Sequence, residues 1–248
     1  AHLIVTPEQN TAANGYGPSQ PALEAGASPM RVALLGAWAR FYGLDHLPTA
    51  AEAWQRYSSQ GDRAYIELSP HLGSAAGPAL LDAELFVRRI RASAEPFLLD
   101  ANRRAAEAGT AAYVLVVGLG LGAWQVHHGQ GVLTMRAYEQ ILAEHSLPSL
   151  GVLDFSWFPA DCIQCGGSTH GTPFSSTAQP NTKPTILFSK RDPAAPLPPR
   201  DDPSSQPPYL MVSMYAWDGN SYPGNEFWLG ELSASGDPAA ACCSCISL

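Results

Sequence analysis

Between Ala111 and Gly122 the chain reads AAYVLVVGLGLG, an apolar, largely β-branched run that stops at alternating glycines. It leaves few folds open. A run with no polar alternate position has to bury both faces, which is the signature of an interior strand of a parallel sheet. Such a strand needs helical crossovers, and the flanking sequence supplies them. PALLDAELFVRRIRASAEPFLLDANRRAAEAG, from Pro78 to Gly109, has apolar residues at helical spacing, with a break or kink expected at Pro96. TMRAYEQILAEH predicts the next helix, and GVLDFSWF, PTILFS and YLMVSMYAW predict further strands. Strand–helix–strand alternation of this kind specifies an α/β domain with a mostly parallel sheet.

The remaining segments fit around that unit. MRVALLGAWARFYG predicts a helix stopped by Gly43. TAAEAWQRYSSQ predicts a second, opened by a capping box between Thr49 and Glu52, and AYIEL a short strand. Residues 1–29 read as a wrapped or flexible arm, and 193–208, rich in proline, as a surface loop rather than a boundary, so 1–248 is expected to form one catalytic domain. Ala1 is not an initiator methionine, and the chain reads as an excised or processed fragment.

Charge and cysteine usage restrict the function. A formal charge of −8 argues against a nucleic-acid groove, which relies on excess Lys and Arg. No apolar run is long enough to span a bilayer, so no membrane role is expected. Five cysteines, an odd number, fit reduced thiols in a cytoplasmic setting. Cys162-x-x-Cys165, near His170, lacks a second ligand pair, so buried or incidental thiols are expected and no metal.

Several positions are candidates for chemistry. Gly118, Gly120 and Gly122 directly follow a strand, where backbone N–H groups can approach a phosphate. Gly118, Gly120, Ala123 and Glu139 superficially satisfy a dinucleotide fingerprint, but Glu139 falls inside a predicted helix, which favours a phosphate loop. A tight turn without a ligand is the plain alternative. Asp154, inside a predicted strand, needs a partner or a ligand, and Trp157 and Phe158 at the strand end are candidates to stack on a base. In YAWDGNSYPGNEFW the Asp-Gly and Pro-Gly pairs are turn chemistry. The turns do not account for Asp218 and Glu226 among Trp217, Asn220, Tyr222 and Asn225. Carboxylates in an aromatic-walled loop are candidate general acids or bases. Asp237 precedes Pro238 as a helix N-cap would. The terminal CISL formally matches a prenylation box, though Ser247 is not aliphatic and a truncated helix explains the segment better.

YVLVVGLGLGAWQ, VLDFSWF, YAWDGNSYPGNEFWLG and SGDPAAACC together resemble the macrodomain-related ADP-ribosyl hydrolases typified by the Legionella effector MavL and its eukaryotic homologues. The resemblance spans roughly Ala112 to the end. It implies a three-layer α/β/α macrodomain-like fold that binds ADP-ribose and releases it from an arginine of modified ubiquitin, without metal or redox cofactor. It implies catalytic roles for Asp218, Glu226 and Asp237. Because the glycine-rich strand comes before the Asn- and Asp-bearing loop, it also implies a permuted element order. Three other readings stay open: an ADP-ribose reader without activity, a nucleotide-dependent oxidoreductase or transferase using the glycine loop, and an interaction module.

Overall fold

The structure, a computed structural model, describes residues 3–68, 77–122, 125–174, 184–191, 195–197 and 208–214. The chain divides into two compact units, Ala1–Ser213 and Met214–Leu248, and every element below belongs to the first. In chain order these are β1 (Ile4–Val5), α1 (Ser19–Glu24), α2 (Pro29–Phe41), α3 (Ala50–Gln60), β2 (Tyr65–Glu67), β3 (Leu80–Asp82) and α4 (Ala83–Glu107). Then follow β4 (Ala112–Val116), α5 (Gln130–Glu144), β5 (Leu150–Ser156), β6 (Gln164–Cys165), β7 (Ser168–Thr169), β8 (Thr172–Pro173), β9 (Thr185–Ser189) and β10 (Leu210–Ser213).

The main sheet has five strands in the order β10-β4-β5-β9-β8. β10, β4, β5 and β9 are parallel, and β8 joins the edge antiparallel to β9. The architecture is therefore mixed α/β with a mostly parallel sheet. β4 is buried at all five positions, as its unalternated sequence requires. Ala112, Val114 and Val116 pack with Leu153, Phe155 and Ile186 against α4 and α5. Tyr113 and Leu115 point the other way, into a second cluster with Val152, Leu187, Leu197 and Tyr209.

α4 corrects the sequence reading in two respects. Of the break or kink expected at Pro96 the break does not occur: the helix runs continuously from Ala83 to Glu107 with Pro96 inside it. Proline in a helix interior costs about 3 kcal/mol. Each fully buried large apolar side chain returns about 1.5–3 kcal/mol, and Phe86, Val87, Ile90 and Leu98 all lie on the buried stripe of α4. Burial therefore outweighs the defect. The helix also starts later than Pro78, because Leu80–Asp82 pairs as β3 between β1 and β2. Asp82 then caps α4, accepting from the Leu85 N–H at 2.8 Å.

The amino-terminal residues are wrapped. β1 pairs with β3, and Val5 joins Tyr65, Leu80 and Ala53 of α3 in a small core. α2 closes at Tyr42, with Gly43 at φ 66° in the left-handed region that ends helices. α3 opens with the expected capping box between Thr49 and Glu52.

Candidate functional site

Ligands of open parallel sheets bind beyond the carboxyl ends of the strands, because the loops there converge and helix N-termini face them. In this protein those ends surround a hollow of about 600 Å³. β4 contributes Gly118 and Gly122, β5 contributes Ser156 and Trp157, β9 is followed by Lys190 and Arg191, and β10 ends in Ser213. Four parallel strands thus each bring residues to one cleft. A second hollow, of about 630 Å³, is lined by α2, α4, α5 and Gly43, with no strand end in it.

The glycine segment is a fixed turn. The Leu121 N–H donates to the Gly118 carbonyl at 3.0 Å, and Gly120 sits at φ 74°, where an L side chain is strained. Gln130, the first residue of α5 and 3% exposed, ties the turn to the helix. Its Nε2 donates to the Gly120 carbonyl at 3.2 Å. Its Oε1 accepts from the Val126 and His127 N–H groups at 2.6 and 2.9 Å. His127 is occupied locally, its Nδ1 accepting from the Gly129 N–H at 3.0 Å.

At the end of β5 the two aromatic candidates separate. Phe158 is buried and packs edge-on against Phe155, with ring centroids 5.2 Å apart. Trp157 remains 64% exposed at φ 58°, and is the one non-glycine residue with positive φ among the described residues. Its N–H donates to the Ser189 carbonyl at 2.8 Å, which holds that conformation. A left-handed non-glycine residue costs about 1–3 kcal/mol and is retained where the surroundings over-determine it, often at binding sites.

Asp154 is fully buried and finds its partners within the sheet. Tyr113 Oη and Ser189 Oγ both donate to its Oδ2 at 2.8 Å, while Oδ1 has no partner among the described residues. Burial, followed by the bond to Asp154, pushes the Tyr113 phenol well above its ordinary value. Asp154 does not line the cleft; it braces β4, β5 and β9 beneath it.

Cys162 and Cys165 are free thiols in the core. Burial and the neighbouring Asp161 carboxylate push the Cys162 thiol up to about 11, and burial raises Cys165 as well. Among the described residues no group of three or more His, Cys, Asp or Glu could hold a metal ion. Nor is any described helix long and apolar enough to cross a membrane. Trp217, Asp218, Asn220, Tyr222, Asn225, Glu226 and Asp237 lie outside the described residues.

Sequence reasoning missed Gln130, Ser156, Lys190 and Arg191. A signal existed for the last two: they follow PTILFS directly, and asking what stands at each strand's carboxyl end would have found them.

A family model for MavL-like ADP-ribosylhydrolases matches residues 1–248. The chain belongs to this family. Two Drosophila melanogaster proteins named ADP-ribosylarginine hydrolase, CG2909 and CG3568, are 31% and 33% identical to it over 99% of its length. The match covers 45% and 44% of those proteins, so the chain spans less than half the length of the curated relatives it matches. Family membership extends through the amino-terminal hundred residues, beyond the part where the sequence resemblance was recognised.

Proposed function

We propose that the protein binds ADP-ribose in the cleft at the carboxyl ends of β4, β5, β9 and β10, and hydrolyses the N-glycosidic bond joining it to a modified arginine. The observation that carries this reading is the glycine turn of a MavL-like ADP-ribosylhydrolase, lining a cleft large enough for a nucleotide. The amides of the Gly118–Gly122 turn hold the diphosphate, and the exposed Trp157 indole stacks on the adenine or a ribose. Asp154 supports the floor from below.

The chemistry requires carboxylates at the second ribose. As the bond between the anomeric carbon and the arginine nitrogen breaks, its electron pair stays on the guanidine, which takes up a proton, and the sugar becomes oxocarbenium-like. A carboxylate draws a proton from the water whose oxygen forms the new bond, while a second carboxylate and an asparagine hold the ribose hydroxyls. Asp218 and Glu226 are proposed for these roles, with Asn220, Asn225, Trp217 and Tyr222 around the sugar and Asp237 binding ribose or capping a helix. Asp218 follows Ser213, a cleft residue, by five residues. Ubiquitin as the carrier of the modified arginine, a three-layer macrodomain-like fold with permuted element order, a single catalytic domain over 1–248 and cytoplasmic residence belong to the same proposal.

The test is incubation with ADP-ribosylated ubiquitin and with an ADP-ribosylarginine peptide, followed by mass spectrometry of both products. Release of ADP-ribose with regeneration of unmodified arginine is expected, and loss of turnover with retained ADP-ribose binding in Asp218→Ala and Glu226→Ala. Tight ADP-ribose binding with no release from either substrate would instead establish a reader.

A further inference from the structure

Lys190 and Arg191 leave β9 directly into the cleft. Among the described residues neither forms an ion pair with a carboxylate. Arg191 is nevertheless held firmly. Its Nη2 donates to the carbonyls of Ala195 and, at 3.3 Å, Pro196. Its guanidinium carbon lies 6.0 Å from the centre of the Tyr113 ring. Tyr113 is fixed by its bond to Asp154, and Asp154 by Ser189, two residues before the arginine. The other terminal nitrogen, Nη1, is buried and has no hydrogen-bond partner among the described residues. Ser156 also lines the cleft, and its Oγ is buried and unpaired among the described residues.

A buried donor without an acceptor is costly, and more so when it carries charge. Two such groups on residues that line one cleft, one of them a held cation, leave room for an acceptor supplied by a ligand. The fork of a guanidinium matches phosphate oxygens, and an anion also satisfies its charge. The end of β5 separates Arg191 from the glycine turn. Two strand spacings, about 10 Å, lie between the axes of β4 and β9, a gap that a diphosphate and its ligating groups can bridge.

We infer that Arg191, with Ser156, forms a phosphate-reading subsite facing the glycine turn, so that the cleft selects diphosphate-bearing nucleotides over uncharged nucleosides. The inference rests on the proposed ADP-ribose reading and adds the group that reads its charge. Lys190 contributes through-space attraction and no fixed bond.

Calorimetry with ADP-ribose and with adenosine tests it on the whole chain. Arg191→Met is expected to weaken ADP-ribose binding about 10- to 100-fold and leave adenosine affinity unchanged, with a shallower dependence of ADP-ribose affinity on salt. Should that variant fail to fold, as judged by its melting curve, Arg191→Lys keeps the charge and removes the fork. It is expected to lose ADP-ribose affinity at least about threefold with adenosine unmoved. Equal loss of both ligands means a structural role and overturns the inference, as does an unchanged ADP-ribose affinity in a protein that binds ADP-ribose. A wild-type protein that binds no ADP-ribose overturns the inference together with the reading beneath it.

Discussion

The Thr49 and Glu52 side chains satisfy each other across the first turn of α3: Thr49 Oγ1 accepts from the Glu52 N–H at 3.3 Å, and the Glu52 carboxylate accepts from the Thr49 N–H at 2.8 Å. Burial pushes the Glu52 carboxyl up, but the bonds from Thr49 and the nearby His46 outweigh it and hold the group below its ordinary 4.5. A depressed carboxyl contributes stability that is fully present above its ordinary value and is lost as the pH falls through the folded one. Thr49→Ala is therefore expected to cost about 1 kcal/mol in urea unfolding at pH 7, with the gap from wild type narrowing below about pH 4.5. This cap was legible because all its parts lie within four residues. The positive φ of Trp157 was not legible, since it depends on a bond to Ser189, thirty-two residues away in sequence. Asp154 was recognised as needing a partner, but Tyr113 and Ser189 could be named only once β4, β5 and β9 were in register.

α5 connects packing to the site. Gly131 faces Cys162 so closely that an added Cβ would lie 2.5 Å from its Sγ. Gly131→Ala is expected to destabilise the protein by about 1–3 kcal/mol, read as a fall in melting temperature, and Cys162→Ala in the same chain should recover part of it. One residue earlier, Gln130→Met keeps the side-chain volume and removes the bond to the Gly120 carbonyl of the glycine turn, together with two bonds to the backbone of Val126 and His127. We expect ADP-ribose affinity to fall about tenfold with a melting temperature lowered by only a few degrees, measured by calorimetry and thermal unfolding. The buried strands were readable as elements because burial on both faces leaves an unbroken apolar run. α4 was misread at both of its problem positions for the converse reason. Pro96 is a local signal overridden by a long-range apolar stripe, and Leu80–Asp82 continues a helical pattern while its backbone is claimed by β1 and β2.

At the scale of the molecule, four parallel strands deliver a glycine turn, an exposed indole and two basic side chains to one cleft in a member of the MavL-like ADP-ribosylhydrolase family. The mostly parallel α/β class was legible from strand–helix alternation. The cleft's membership was only half legible, because glycines announce themselves in sequence whereas Ser156 and Arg191 acquire meaning from the strand ends they occupy. The central proposal is that ADP-ribose engages this cleft and also engages the acidic, aromatic segment 215–228. Hydrogen–deuterium exchange with and without ADP-ribose tests it most directly. The account predicts slowed exchange, rising with the same dose of ligand, in peptides covering 118–122, 156–160, 189–191 and 215–228. Bound ADP-ribose that protects the glycine turn and leaves 215–228 unchanged, or the reverse, would contradict it.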